Sequence, residues 1–178
     1  MFAMKKTASR VFKVTFLLGF FAAGFSLSAQ AEKREILGSF RDWDTVLIER
    51  DNGEKHCMMI SMPKRSDPTN VIHGEVYMTV THRPRRKVRD EINFVAGYDL
   101  RVGSEANGTI GNTPYTMFAE GRNAWNYTQE EDRRMVTSMK RGSTLIVRAT
   151  SARGTKTTYR FSLIGFTAAY NAITEACN

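Results

Sequence analysis

What most constrains this chain is how often its apolar stretches are cut short by turn-forming residues. Trp43–Arg50 and residues 55–62 are rich in β-branched and aliphatic side chains. They flank Asp51-Asn52-Gly53, whose Asn-Gly pair suits the positive φ angles of a tight hairpin. Residues 63–70 hold two prolines and predict a loop. Residues 74–82 set Val76, Met78 and Val80 against Tyr77, Thr79 and Thr81, the alternation of a half-buried strand. Further strands are expected over 91–96, 98–102, 115–119, Thr144–Thr150 and 157–161. Residues 32–40 read as a lead-in, 103–111 as turn-rich and 151–156 as a hairpin connection.

Two segments change period. Over 128–141, Thr128 and Glu131 make a capping box, Met135, Val136 and Met139 share a helical face, and Gly142 supplies the stop. After Ser162, read as a cap, Leu163, Phe166, Tyr170, Ile173 and Cys177 recur at three- and four-residue spacing, an amphipathic helix with Gly165 inside it. The expected fold is mainly β: an antiparallel β-sandwich or barrel with one short internal helix and a C-terminal helix. With no internal repeat or linker, residues 32–178 read as one domain.

Residues 1–31 have the pattern of an export signal. Lys5, Lys6, Arg10 and Lys13 precede an apolar core over 14–25, and Ala29-Gln30-Ala31 offers a cleavage site. The core is shorter than the roughly 20 residues that cross a bilayer. The basic segment before the apolar core has no Arg-Arg pair and no Cys sits near the cleavage site, so Sec export without a lipid anchor is expected. Four of the 26 basic residues and none of the 18 acidic ones lie in this segment, so its removal takes the formal charge from +8 to +4. A modest excess on an exported domain argues against nucleic acid as partner.

Two cysteines remain, Cys57 and Cys177. An even count in an exported chain favours a bridge between them, which would tie the C-terminal helix to an early strand. Two separate thiols are the alternative.

Little in the sequence carries catalytic chemistry. No HExxH, Cys-x-x-Cys or glycine-rich phosphate loop is present. Glu130, Glu131 and Asp132 fall in the first turn of a helix, where dipole and solvent account for them. No catalytic residue, cofactor or metal is expected. A copper site built from His56, Met58 and Met62 on one strand face is the alternative, against the use of Met as core filler. Trp43 and Trp125 read as core, because large aromatics dominate small cores, with surface anchoring as the alternative. Five cations, Arg83, Arg85, Arg86, Lys87 and Arg89, crowd residues 83–89, and Pro84 keeps that run out of a central strand. It reads either as a solvated loop or as a patch for an anionic envelope component or protein partner, with peripheral membrane contact included. The oligomeric state is left open.

One arrangement of residues is familiar. Phe40-x-x-Trp43 is followed by Cys57-Met58 after a hairpin and Ala124-Trp125 before a short helix. Then come Ser151-x-x-Gly154-Thr155, Tyr159-x-x-Ser162-Leu163-x-Gly165-Phe166 and the terminal Cys177. In these the chain resembles the invasion-associated locus B family of periplasmic or surface-associated proteins of Gram-negative bacteria, chiefly alphaproteobacteria. The resemblance implies a compact β-sandwich that works by binding in the envelope. It brings no enzymatic activity, and its link to host-cell invasion comes through the family's name. Some members carry an extra pair of cysteines in a middle insertion, which this chain lacks.

Overall fold

The structure, a computed structural model, describes residues 32–178. The export signal expected over residues 1–31 lies outside the described residues. Eleven strands form one antiparallel sheet: β1 (Glu32–Phe40), β2 (Trp43–Arg50), β3 (Lys55–Ser61), β4 (Arg65–Asp67), β5 (Tyr77–Arg83), β6 (Val88–Val95), β7 (Glu105–Ile110), β8 (Thr113–Glu120), β9 (Asn123–Asn126), β10 (Thr144–Thr150) and β11 (Lys156–Ser162). Helix α1 (Gln129–Arg141) lies between β9 and β10, and α2 (Phe166–Ala176) ends the chain. Among the described residues no helix is long and apolar enough to cross a membrane.

The strand order is β1-β2-β3-β5-β6-β9-β8-β7-β10-β11-β4. The sheet curls until its two halves face each other, with β1 and β4 left as unpaired edges. Phe94 on β6 meets Tyr159 and Phe161 of β11 at ring-centroid distances of 5.6 and 6.3 Å. Alternate residues of β10 and β11 (Leu145, Val147, Tyr159, Phe161) point into this core. The outward faces of β6 and β11 therefore look in opposite directions. The expected sandwich or barrel is realised as one curled, open sheet.

Local chemistry explains most of the elements. The Asn52-Gly53 turn joins β2 to β3, with Gly53 at φ 72° and the Asn52 side chain accepting from the Glu54 amide. In α1 the capping box is present, with the Thr128 hydroxyl accepting from the Glu131 amide. Met135, Val136 and Met139 of α1 are buried.

Five expectations need correction. Residues 32–40 form β1, paired with β2 through a register shift near Gly38. The turn-rich segment 103–111 contains β7, because Ala106, Gly108 and Ile110 face the core while polar residues face out. Residues 98–102 form a loop with one isolated bridge, Leu100 to Ser151, and further backbone hydrogen bonds from Leu100 to Gly121 and from Arg101 to Thr150. Strand β5 is buried on both faces, since Thr79 and Thr81 lie in a cleft that Met58, Ile60, Glu91 and Trp125 also line. Finally, α2 begins at Phe166. Ser162 ends β11 instead, and Gly165 adopts φ 90° with its Cα against the Phe40 carbonyl; a Cβ there would lie 1.9 Å from that oxygen.

Helix α2 is fastened to the sheet at three places. Phe166 meets Trp43 edge-to-face at 5.0 Å, and the Trp43 indole donates to the Ser162 carbonyl at 3.0 Å. The Tyr170 hydroxyl donates to Asp90 at 2.6 Å. Cys177 is bonded to Cys57, closing a loop with a sequence separation of 120. Beside that bridge, His82 is buried, its Nδ1 accepting from the Asp90 amide and its Nε2 facing the Thr174 hydroxyl. Burial pushes the His82 pKa down, so the ring is neutral in the fold.

Candidate functional site

Strand β9 is short, and its alternation decides what the surface offers. Ala124 and Asn126 turn inward, while Asn123 and Trp125 turn outward. Trp125 pairs across the ladders with Asn93 on one side and Phe118 on the other, so all three share the outward face. Phe118 stacks at a tilt on both Trp125 (5.7 Å) and Tyr127 (5.3 Å). Tyr127 is half exposed and its hydroxyl donates to Glu105, which holds the phenol's pKa up. Trp43 is core as expected. Trp125 is not, because the two-residue period of β9 points it away from the core.

Two clefts of about 570 Å³ each adjoin at Trp125 and Glu91. One runs back over Met58, Ile60, Thr79 and Thr81; the other is walled by Lys87, Arg89, Phe118 and Tyr127 and reaches Asn126 and Asp132. They form a single groove across the outward face. It is aromatic at one end, aliphatic at the other and basic on one rim.

Asp132 departs from its expected place in solvent. It is buried, and its Oδ1 accepts from the Ile92 amide at 3.1 Å and the Asn126 amide group at 2.9 Å. Burial pushes the carboxyl up to about 6, despite those two hydrogen bonds. Asn126 Oδ1 is buried with no hydrogen-bond partner, an acceptor left open beneath the groove. The helical period alone could have flagged Asp132, which lies three residues before Met135 on the buried face. Glu130 and Glu131 do behave as helix-start residues, Glu131 completing the cap and Glu130 pairing with Arg133.

The basic run does not form one patch. Residues Pro84–Arg86 make a 3-10 turn, and Lys87 follows at φ 55°. Arg83 is half-buried and ion-paired with Glu91. Arg85 donates to the Asn52 carbonyl, and Arg86 binds Glu54 at 2.8 Å. Glu54 also receives His56, and these hydrogen bonds hold its carboxyl low. Lys87 and Arg89, whose backbone carbonyls accept from Gln129, line the groove. The run thus splits between the β2–β3 hairpin and the groove rim.

His56 and Met58 share the outward face of β3, with His56 Nε2 turned to Glu54 at 3.1 Å, and Met62 is exposed beyond the strand end. Among the described residues no group of three His, Cys, Asp or Glu side chains is placed to hold a metal.

The family model described as invasion associated locus B (IalB) protein matches residues 43–174, from the buried Trp43 almost to the bridged Cys177. The chain belongs to the IalB family. No curated protein and no solved structure matches it. The IalB match thus takes in the whole groove and both helix starts, and leaves β1 outside it.

Proposed function

We propose that this IalB-family chain is an exported, non-enzymatic envelope domain that binds an acidic segment of a protein partner in the groove over Trp125. The observation that carries the reading is the company Trp125 keeps. Phe118 and Tyr127 stand beside it, and Lys87 and Arg89 form one rim of the cleft. Aromatic and arginine side chains supply most of the energy of protein interfaces, because they bury large areas at low entropic cost.

Binding rather than catalysis is favoured by how the histidines are used. His73 is held between the Tyr159 hydroxyl and the Pro68 carbonyl, His82 is buried, and His56 is engaged by Glu54. Export is favoured by the Cys57–Cys177 bridge, which persists in oxidising compartments, and by the signal pattern of residues 1–31. The association with invasion stays a property of the family's name.

The test is retention of envelope proteins on the immobilised domain at low salt, compared with Trp125→Ala and with Lys87→Ser/Arg89→Ser. A partner retained by the wild type and lost by both folded variants supports the reading. Equal retention by all three removes the groove from consideration.

A further inference from the structure

A second surface emerges from the opposite side of the molecule. Between Asp132 and Glu175 the sequence has no acidic residue and eight basic ones. The fold sorts part of that excess onto one face. On β10 and β11, Ile146, Arg148, Lys156, Thr158 and Arg160 point outward, since their neighbours fill the core. The ladder sets Arg160 directly opposite Ile146 on one side and Arg65 of β4 on the other. Like charges facing each other across a ladder cost stability unless something answers them. Arg65 is answered by Asp67. Arg141, Arg148, Lys156 and Arg160 have no ion pair among the described residues. Arg141 and Arg160 also flank a shallow cleft of about 480 Å³ that Thr109, Ser143 and Thr144 line with hydroxyls.

We propose that the outward face of β10, β11 and β4 docks on the anionic phospholipid surface of a bilayer, with headgroup phosphates received between Arg141 and Arg160. Charge complementarity identifies the occupant, and what the face lacks narrows it. The stacked aromatics that would serve single-stranded nucleic acid lie around Trp125, on the other side. Of apolar anchors for a protein partner the ladder rows offer Ile146 alone. A hydroxyl-bearing, cationic sheet face suits a surface made of many equivalent phosphates. Such attraction is worth about 1 kcal/mol per basic residue near the surface and decays within a Debye length. This inference does not depend on the groove, because β6 and β11 face opposite ways across the core.

The experiment is co-sedimentation of residues 32–178 with vesicles of phosphatidylcholine alone or mixed with phosphatidylglycerol. The wild type is expected on the anionic vesicles at about 0.1 M salt and off them at about 1 M. Arg148→Gln/Arg160→Gln should weaken binding roughly 10- to 30-fold, since two such charges are removed. Its melting temperature should stay within a degree or two, as exposed positions allow. Trp125→Ala should bind vesicles as the wild type does. Inorganic phosphate at the ionic strength of a chloride control should compete no better than chloride, because it offers one phosphate rather than a surface of them. The proposal is overturned if the double variant binds unchanged, if phosphatidylcholine alone suffices, if phosphate competes specifically, or if Trp125→Ala abolishes binding.

Discussion

Asp132 and Gly165 are the two positions where a single atom decides the most. The Asp132 carboxyl titrates near 6 in the fold against 3.8 in a free chain, with burial as the main cause and Glu91 and Asp90 adding to it. Between about pH 4 and 6 the folded state holds a proton that the unfolded state has lost, so this group's contribution falls as pH rises through that window and is flat above it. A shift of this size corresponds to roughly 3 kcal/mol at most. Asp132→Asn should therefore remove the slope, leaving a protein more stable than wild type at pH 7 and no more stable at about pH 4, read from urea midpoints. His82 works in the other sense. Its lowered pKa means that the unfolded chain binds the extra proton, so its contribution is lost as pH falls below about 6.5. Gly165 is steric. At φ 90° with the Phe40 carbonyl against its Cα, any side chain must displace backbone. Gly165→Ala should cost about 3 kcal/mol or more in chemical denaturation, unlike the same change at Gly53, where a Cβ meets nothing within 4 Å.

Among the elements, α2 is the one whose attachment is covalent. Its apolar stripe was readable at helical spacing, and Phe166, Tyr170 and Ile173 are buried as that spacing requires. Its start was not readable, because a glycine at positive φ gains its meaning from the Phe40 carbonyl, more than a hundred residues earlier in the chain. Closing a loop with a separation of 120 is rated at roughly 4 to 5 kcal/mol by the chain-entropy model. Cys57→Ser with Cys177→Ser should lower stability by a few kcal/mol. Hydrogen exchange should then rise first in α2, with α1 less affected, because α1 keeps its own cap and packing. The basic run behaves differently from a solvated loop. Arg85→Ser/Arg86→Ser/Lys87→Ser removes a partner of Glu54 as well as charge, so a stability loss of about 1 kcal/mol is expected. Partner retention at low salt should also fall in that variant, since Lys87 lines the groove.

For the whole molecule, the curled sheet makes two outward faces that do not share residues. One is aromatic and groove-like around Trp125; the other is cationic over β10, β11 and β4. If both bind, the domain can hold a protein partner while lying on a membrane surface. Losses should then be separable: Trp125→Ala abolishes partner retention and spares vesicles, while Arg148→Gln/Arg160→Gln does the reverse. Export itself is checked by intact-mass measurement of the protein from its native host, which should show a chain that starts at Glu32. Retention of residues 1–31 would contradict the proposed compartment.

By itself the sequence determined the antiparallel class, the Asn52-Gly53 hairpin, the capped α1 and the apolar stripe of α2, and it favoured a Cys57–Cys177 bridge over two separate thiols. All of these rest on contacts within a few residues, on periodicity or on counting. Tertiary structure alone decided that β7 is a strand and that Trp125 faces outward. It also split residues 83–89 between two neighbours and gathered Arg65, Arg141, Arg148 and Arg160 onto one face. The reason is that strand pairing joins residues far apart in the chain. Which side of a sheet is covered depends on how the sheet curls, and no local pattern records that.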